Sequence, residues 1–493
     1  MSESVADPAE TWITDLDGID ASLYKDAFKY SRLGRLPPEL LEMIVRNVPK
    51  RFLPALARIS SVLRELVERC LYHHINVNGA HAKVIWPLYR TLVSRPDLAN
   101  KVSSFDCMAY DKEDQIEVDI SALSLHDQAL YSVAKVSLHQ ITIVGCIVFQ
   151  RLSNVDKVCL KLRGTCPRYL ESSIFDPLGN LMPGFLDTSA HTLRFAGLRT
   201  LTKLDYAGVE FHWALAKSPC LRWLKLSRPC RIIQDGAPNE VSTSLIRLEI
   251  CARSDILRSN GLTYSFFKKF LAHFPALLEL ELTIYDLIFD DFMALEDVLR
   301  ERSYDNLLEK LSPVASHLRT LELGVFNSDE EGYFPPDTRN DEVNEFLLDV
   351  RPASGFRNFT KLDKLVVPYQ CLLGHTLSPV DPVPSPDRIL PATLAYLQID
   401  CPQIHVYDWL AQLHTVRRRL PVLSEIHLYS QLPYGDEYPV MYYEHREHPA
   451  LRILSDLDIS LTWKYRVGDW KKEWDEYDLE VPKVIEWLDG LGA

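Results

Sequence analysis

The spacing of apolar positions along the chain changes character twice. Up to about residue 32 there is no period and most of the charge is acidic, which predicts a loosely held arm. From Leu36 onward the apolar residues fall at helical spacing, with Leu40, Leu41, Ile44, Val45 and Val48 on one stripe. Pro37 and Pro38 suit a first helical turn, where no N–H is needed. Glu39 and Glu42 favour the positive end of the helix dipole, and Pro49 closes the segment. A second stripe follows Lys50-Arg51 through Leu53, Leu56, Ile59, Leu63, Leu66 or Val67, and Cys70 or Leu71, with a break expected near Ser60-Ser61. These helices offer more apolar surface than they can bury against each other. The rest of the chain or another protein has to cover the remainder.

Further on the pattern becomes an apolar triplet spaced L-x-x-L-x-L. It recurs as Val155/Val158/Leu160, Leu201/Leu204/Tyr206, Leu221/Leu224/Leu226, Leu245/Leu248/Ile250, Leu277/Leu280/Leu282, Leu318/Leu321/Leu323, Leu362/Leu365/Val367, Leu394/Leu397/Ile399, Leu423/Ile426/Leu428 and Leu454/Leu457/Ile459. From Leu201 the mean step is about 28 residues, close to the leucine-rich-repeat period. In each triplet the last two positions lie two apart and share one side of a strand, while the first sits on the bend that enters it. "AKSPCLRWLKL", "AHFPALLELEL" and "RRLPVLSEIHL" each place Pro two residues before the first Leu. There it stops a helix without removing a donor from the strand. Phe266 or Phe267, Phe270, Leu271 and Phe274 form the preceding helix face in the second, and Trp409, Leu410, Leu413, Val416 and Leu420 form it in the third. Stacked units of this kind predict a solenoid of parallel strands on a concave face and helices on a convex one.

The repeats are irregular. Steps range from about 20 to over 40 residues, and where an Asn or Cys usually serves the turn stand Pro229, Tyr285, Phe326 and Gln431. Two excursions interrupt the array: Gly324 to Gly355, with eight acidic and two basic residues, and the Pro-rich "LSPVDPVPSP". Within the first, "DEVNEFLLDV" reads as a convex-face helix. Between about 75 and 150, "HINV" and "ITIVGCIVF" read as strands of a capping section. Trp463, Trp470, Trp474 and Trp487 mark a C-terminal cover for the open end of the array.

Composition narrows the function class. The formal charge is -14, with 68 acidic against 54 basic residues, and the basic ones read as scattered singly or in short clusters such as Arg417-Arg418-Arg419. No nucleic-acid or membrane partner is therefore expected. The ten cysteines form no C-x-x-C, which fits a reducing compartment. The acidic N-terminus and the absence of an apolar run of about 20 residues predict a soluble cytoplasmic or nuclear protein. His445 and His448 are spaced i, i+3, but without a third ligand they read as surface histidines. No phosphate loop, nucleophile elbow or paired catalytic signature is present, so no catalytic, metal-binding or cofactor-binding residue is assigned.

Residues Leu36 to about Ile75 resemble an F-box, whose hallmark is L-P-x-E-L-L-x-x-I followed by two short helices. Leu36, Pro37, Glu39, Leu40, Leu41 and Ile44 match it, then Pro49, Leu53, Leu56, Ile59 and Ser60; Ser61 and Leu63 stand where a basic and an aromatic residue are usual. The whole chain looks like a fungal-type F-box protein with irregular C-terminal leucine-rich repeats. The resemblance implies an α/β architecture: an acidic arm over 1–32, a three-helix F-box over 33–75, a transition region over 76–150, the solenoid over 151–460 and a cap over 461–493. It also implies a non-catalytic substrate receptor of an SCF-type cullin–RING ubiquitin ligase. Leu36, Pro37, Glu39, Leu40, Leu41, Ile44, Leu53, Leu56, Ile59, Ser60 and Leu63 would bind a Skp-type adaptor, the adaptor would bind cullin, and the repeats would hold a target protein for ubiquitination. Other readings stay open: a repeat scaffold with no ligase role, a helical pair that merely caps its own repeat domain, a generic α/β domain in place of the repeats, and an enzyme whose Asp, His and Ser residues converge only in space.

Overall fold

The computed structural model describes residues 28, 30–77, 82–108, 128, 148, 151–161, 186–187, 192–193, 200–207, 210–212, 218–227, 231–233, 243–259, 267–286, 302–327, 350–374, 384–400, 402, 405–431 and 448–466. Residues 1–27 and 29 of the expected arm, the acidic and Pro-rich excursions apart from their ends, His445 and the tryptophans beyond Trp463 lie outside these residues, while Phe28, at the arm's end, is buried among the helices that follow. The chain forms two compact units, one of residues 1–167 with 183–201, the other of residues 168–182 with 202–493.

The first unit opens with helices α1 (Pro38–Asn47), α2 (Leu53–Ile59) and α3 (Ser61–His73), preceded by a 3-10 turn over Leu33–Arg35. Pro38 stands at the start of α1, and Pro49 leads into a second 3-10 turn, Lys50–Phe52. The expected break falls at Ser60, whose extended backbone (φ -156°, ψ 157°) ends α2. Its hydroxyl accepts the Leu63 N–H at 3.1 Å and caps α3. Phe28, Leu41, Val45, Leu53, Leu63, Leu66 and Val67 close into a small core among these helices. The chain then passes straight into β1 (His74–Asn76), α4 (Ala82–Ser94), α5 (Pro96–Ala99), β2 (Ser104–Met108) and β3 (Lys157–Lys161), with β1, β2 and β3 paired in parallel. "HINV" is thus a strand, but Val148, the one described residue of the run around "ITIVGCIVF", is buried and helical.

Among the described residues of the second unit nine strands form one parallel sheet, β4 (Lys203–Ala207), β5 (Trp223–Leu226), β6 (Arg247–Arg253), β7 (Glu279–Asp286), β8 (Thr320–Asn327), β9 (Lys364–Pro368), β10 (Tyr396–Asp400), β11 (Glu425–Gln431) and β12 (Ser460–Arg466), each beside the next, and a short parallel pair, Glu210–His212 with Arg231–Ile233, lies outside it. The triplets set the register. Leu204 pairs with Leu224, Leu224 with Leu248, Leu248 with Leu280, Leu280 with Leu321, Leu321 with Leu365, Leu365 with Leu397 and Leu397 with Ile426. All are buried on one side of the sheet, which is why a one-residue slip is excluded. The helices that follow or precede the strands are short. They include α6 (Phe267–Leu271), α7 (Tyr304–Leu311), α8 (Tyr369–Leu373), α9 (Pro386–Ile389), α10 (Val406–Ala411), α11 (Leu413–Val416) and α12 (Pro449–Asp456). Phe267, Phe270, Leu271 and Phe274 are all buried, as are Trp409, Leu410, Leu413 and Leu420, although the latter set spans α10, α11 and a 3-10 turn.

The entering bend repeats as a backbone device. The carbonyl of Thr202 accepts the N–H groups of Arg222 and Trp223, that of Arg222 those of Ile246 and Arg247, and that of Ile246 those of Leu278 and Glu279. Leu278, Arg319, Asp363 and Ala395 continue the series, and in the first unit the Ser103 carbonyl takes the Asp156 and Lys157 N–H groups in the same way. Strands β7 and β8 run eight residues, so Tyr285 and Phe326, expected at turns, are still strand.

The tenth triplet is corrected. Leu454 lies on α12, Leu457 follows the helix, and Asp458 adopts a left-handed conformation (φ 56°) that turns the chain into β12. Leu461 and Trp463, not Leu457 and Ile459, align with Ile426 and Leu428. Leu454 and Leu457 are three apart because they belong to a helical stripe, which imitates the first step of the triplet. Conversely, Val102, Phe105 and Cys107 form a buried triplet at β2 that a search for leucines passes over.

Candidate functional site

The helices α1 to α3 complete a core and still leave apolar side chains in water. Leu41 and Val45 point inward at 3% and 1% exposure, whereas Leu40 and Ile44, one residue earlier in each case, are 40% exposed. A helix advances about 100° per residue, so adjacent leucines take opposite sides. Met43 is exposed between them, followed by Phe52, Ile59 and Val62, with Tyr30 before the 3-10 turn. Among the described residues, only Val93 and Val422 are comparably exposed large apolar residues outside this segment.

The residues expected to bind an adaptor therefore divide. Leu40, Ile44 and Ile59 face outward, Pro37 and Glu39 are exposed at the start of α1, and Leu36 and Leu56 are half-buried against the helical core. Leu41, Leu53 and Leu63 are inside that core, and Ser60 is buried as a cap. Those four hold the outward residues in place and are not themselves presented. Met43, Phe52 and Val62 belong to the outward set and went unread in the sequence. Met43 had a signal, lying three residues after Leu40 on the same helix face.

Charges lock the module. Glu42 pairs with Arg46 at 2.6 Å along α1 and with Arg69 of α3 at 3.8 Å. Glu68 of α3 meets Lys101 at 2.8 Å and Arg95 at 3.3 Å. Burial alone would raise the Glu68 carboxyl, but these two cations hold its pKa below the usual carboxylate range. The reading of the basic residues as scattered passed over one stretch of the chain. Residues 32–69 contain eight arginines and lysines against four glutamates.

A second surface lies on the open side of the nine-stranded sheet, where the x positions of the triplets project. Arg247 reaches Glu249 at 2.7 Å, Glu281 at 3.3 Å and Glu279 at 3.4 Å. Lys225 meets Glu249 at 2.9 Å, and Lys364 meets Glu322 at 2.6 Å. The Lys203 ammonium lies 2.9 Å from the centre of the Trp223 ring, a cation–π contact. Glu249, Glu281 and Glu322 stand in direct register on neighbouring strands. Burial, then the Glu249 and Glu322 charges, push the Glu281 carboxyl pKa up. The Tyr396 hydroxyl donates to Gln398 Oε1 at 3.0 Å and lies 2.9 Å from His427 Nδ1, while burial first and nearby acidic groups next push its pKa up to about 12.

Among the described residues no group of three His, Cys, Asp or Glu side chains is placed to hold a metal ion, and no helix is long and apolar enough to cross a membrane. His448 has a structural role: its Nδ1 accepts the Ala450 N–H at 3.3 Å, and its ring stacks on Tyr407 at 4.7 Å. No protein-family model matches the chain, and no curated protein matches it at a significant level.

Proposed function

We propose that the protein is a substrate-recognition subunit of an SCF-type cullin–RING ubiquitin ligase, docking a Skp-type adaptor through α1 to α3 and a target protein through the repeats. The observation that carries this reading is the set of apolar side chains left exposed after the helical core is complete: Leu40, Met43, Ile44, Phe52, Ile59 and Val62. A helical pair that only capped its own repeats would have those residues covered. Fully burying an exposed side chain of this kind contributes about 1.5–3 kcal/mol, and these, already about half covered, would each contribute roughly half of that toward the cost of association. The receptor performs no chemistry in this scheme. It raises the concentration of target lysines near a ubiquitin-carrying enzyme, and the polar open face of the sheet, with its interleaved charges and aromatics, suits recognition of a protein surface.

The test is co-purification. Tagged full-length protein should bring down the adaptor and cullin, and Leu40→Asp should lose both while its thermal stability stays that of the wild type, because Leu40 is already exposed. Recovery of neither partner by wild type would refute the proposal, and equal recovery by wild type and variant would refute docking through Leu40. Recovery of a target with neither adaptor nor cullin would favour the scaffold reading instead.

A further inference from the structure

The charge on the helical module runs against that of the molecule. The chain has a formal charge of -14, yet residues 32–69 carry eight basic side chains and four acidic ones. Three of the four glutamates are already engaged: Glu42 by Arg46 and Arg69, Glu65 by Arg69, and Glu68 by Arg95 and Lys101. Arg35, Lys50, Arg51 and Arg58 are exposed and have no ion-pair partner among the described residues. In sequence Lys50-Arg51 stand directly before the exposed Phe52 and Arg58 before the exposed Ile59, while Arg35 lies five residues before Leu40. For one pair the spatial relation is direct, with the Arg51 guanidinium 4.8 Å from the centre of the Phe52 ring.

We infer that the protein surface received by this face is acidic, an apolar ridge edged by carboxylates that meet Arg35, Lys50, Arg51 and Arg58. The inference rests on the adaptor reading of the same face and adds the chemistry by which the partner is chosen. Exposed charges at the edge of an interface act mainly on encounter: they steer the partner over roughly a Debye length, about 8–10 Å, and raise the association rate more than the lifetime. They also discriminate, because a basic or neutral apolar ridge gains nothing from them. An anionic membrane is a poorer fit. The rest of the chain holds more than the whole net negative charge and would be driven off a charged lipid sheet.

The experiment measures association and dissociation rates of the full chain with a purified Skp-type adaptor at about 50 mM and about 500 mM salt. Wild type should associate about tenfold or more faster at the lower salt. The triple variant Arg35→Glu, Arg51→Glu, Arg58→Glu should associate about 10- to 100-fold more slowly than wild type at low salt, converge with it at high salt, and dissociate at nearly the wild-type rate. Because all three side chains are exposed, its melting temperature is the control for folding. An adaptor that binds wild type and triple variant alike, at a rate indifferent to salt, overturns this inference and leaves the adaptor reading standing. Failure of wild type to bind the adaptor at either salt overturns both. Preferential binding of phosphatidylserine vesicles, lost in the triple variant, would put lipid on this face and overturn the inference as well.

Discussion

Leu40 and Leu41 are chain neighbours with opposite surroundings, and the difference is measurable. Leu41→Asp buries an uncompensated charge in the small core of Phe28, Val45, Leu53, Leu63, Leu66 and Val67, which costs more than about 3 kcal/mol and should unfold the helices. Ile44→Asp should shift stability by no more than about 0.5 kcal/mol, since its side chain is 40% exposed before mutation. Thermal melts followed by circular dichroism separate the two. On the sheet, Glu281 is held above its ordinary pKa by burial and then by Glu249 and Glu322. A carboxyl with a raised folded-state pKa contributes stability below its unfolded value and loses it as pH rises through the folded value. Glu281→Gln should therefore stabilise the protein at pH 7 by an amount within the ~0.2–1 kcal/mol typical of cross-strand like charges, with the advantage vanishing near about pH 4. A Gln variant less stable than wild type at pH 7 would contradict this. The candidate face was only partly legible in sequence, because helical spacing shows that a stripe is apolar but not which part of it the other helices already cover. Leu53 and Leu63 were absorbed into the module, while Phe52 and Val62, off the main stripe, ended outside.

At the scale of elements, two positions depend on backbone geometry. Ser60 ends one helix and caps the next, so Ser60→Ala should cost about 1 kcal/mol and fray α3 from its first turn. Gly355 has φ 148°, and a Cβ there would lie 2.6 Å from the Arg388 carbonyl oxygen. Gly355→Ala should therefore destabilise by about 1–3 kcal/mol, read from urea midpoints at constant slope. Most strands were legible because each buries the same two triplet positions against the same side, a signal that survives irregular spacing. Their lengths were not, since Tyr285 and Phe326 extend strands by backbone pairing, which leaves no mark on side-chain pattern. The strand at Val102, Phe105 and Cys107 was missed because burial there is satisfied without leucine, and the last triplet was misplaced because a helix presented leucines three apart.

For the whole molecule, two compact units and a sheet built by stacking imply that unfolding is not all-or-none. Urea curves followed by far-ultraviolet circular dichroism and by tryptophan fluorescence should fail to superimpose; a single coincident transition would show the units to be one cooperative block. The bare methionine, phenylalanine and valine at positions 43, 52 and 62 bear on something else, the numbers in which the chain can safely be made. On the receptor proposal, copies produced beyond the supply of the adaptor have only one another to lean on. Soluble yield should then track the dose of a co-expressed companion, and a stronger promoter alone should deliver more precipitate.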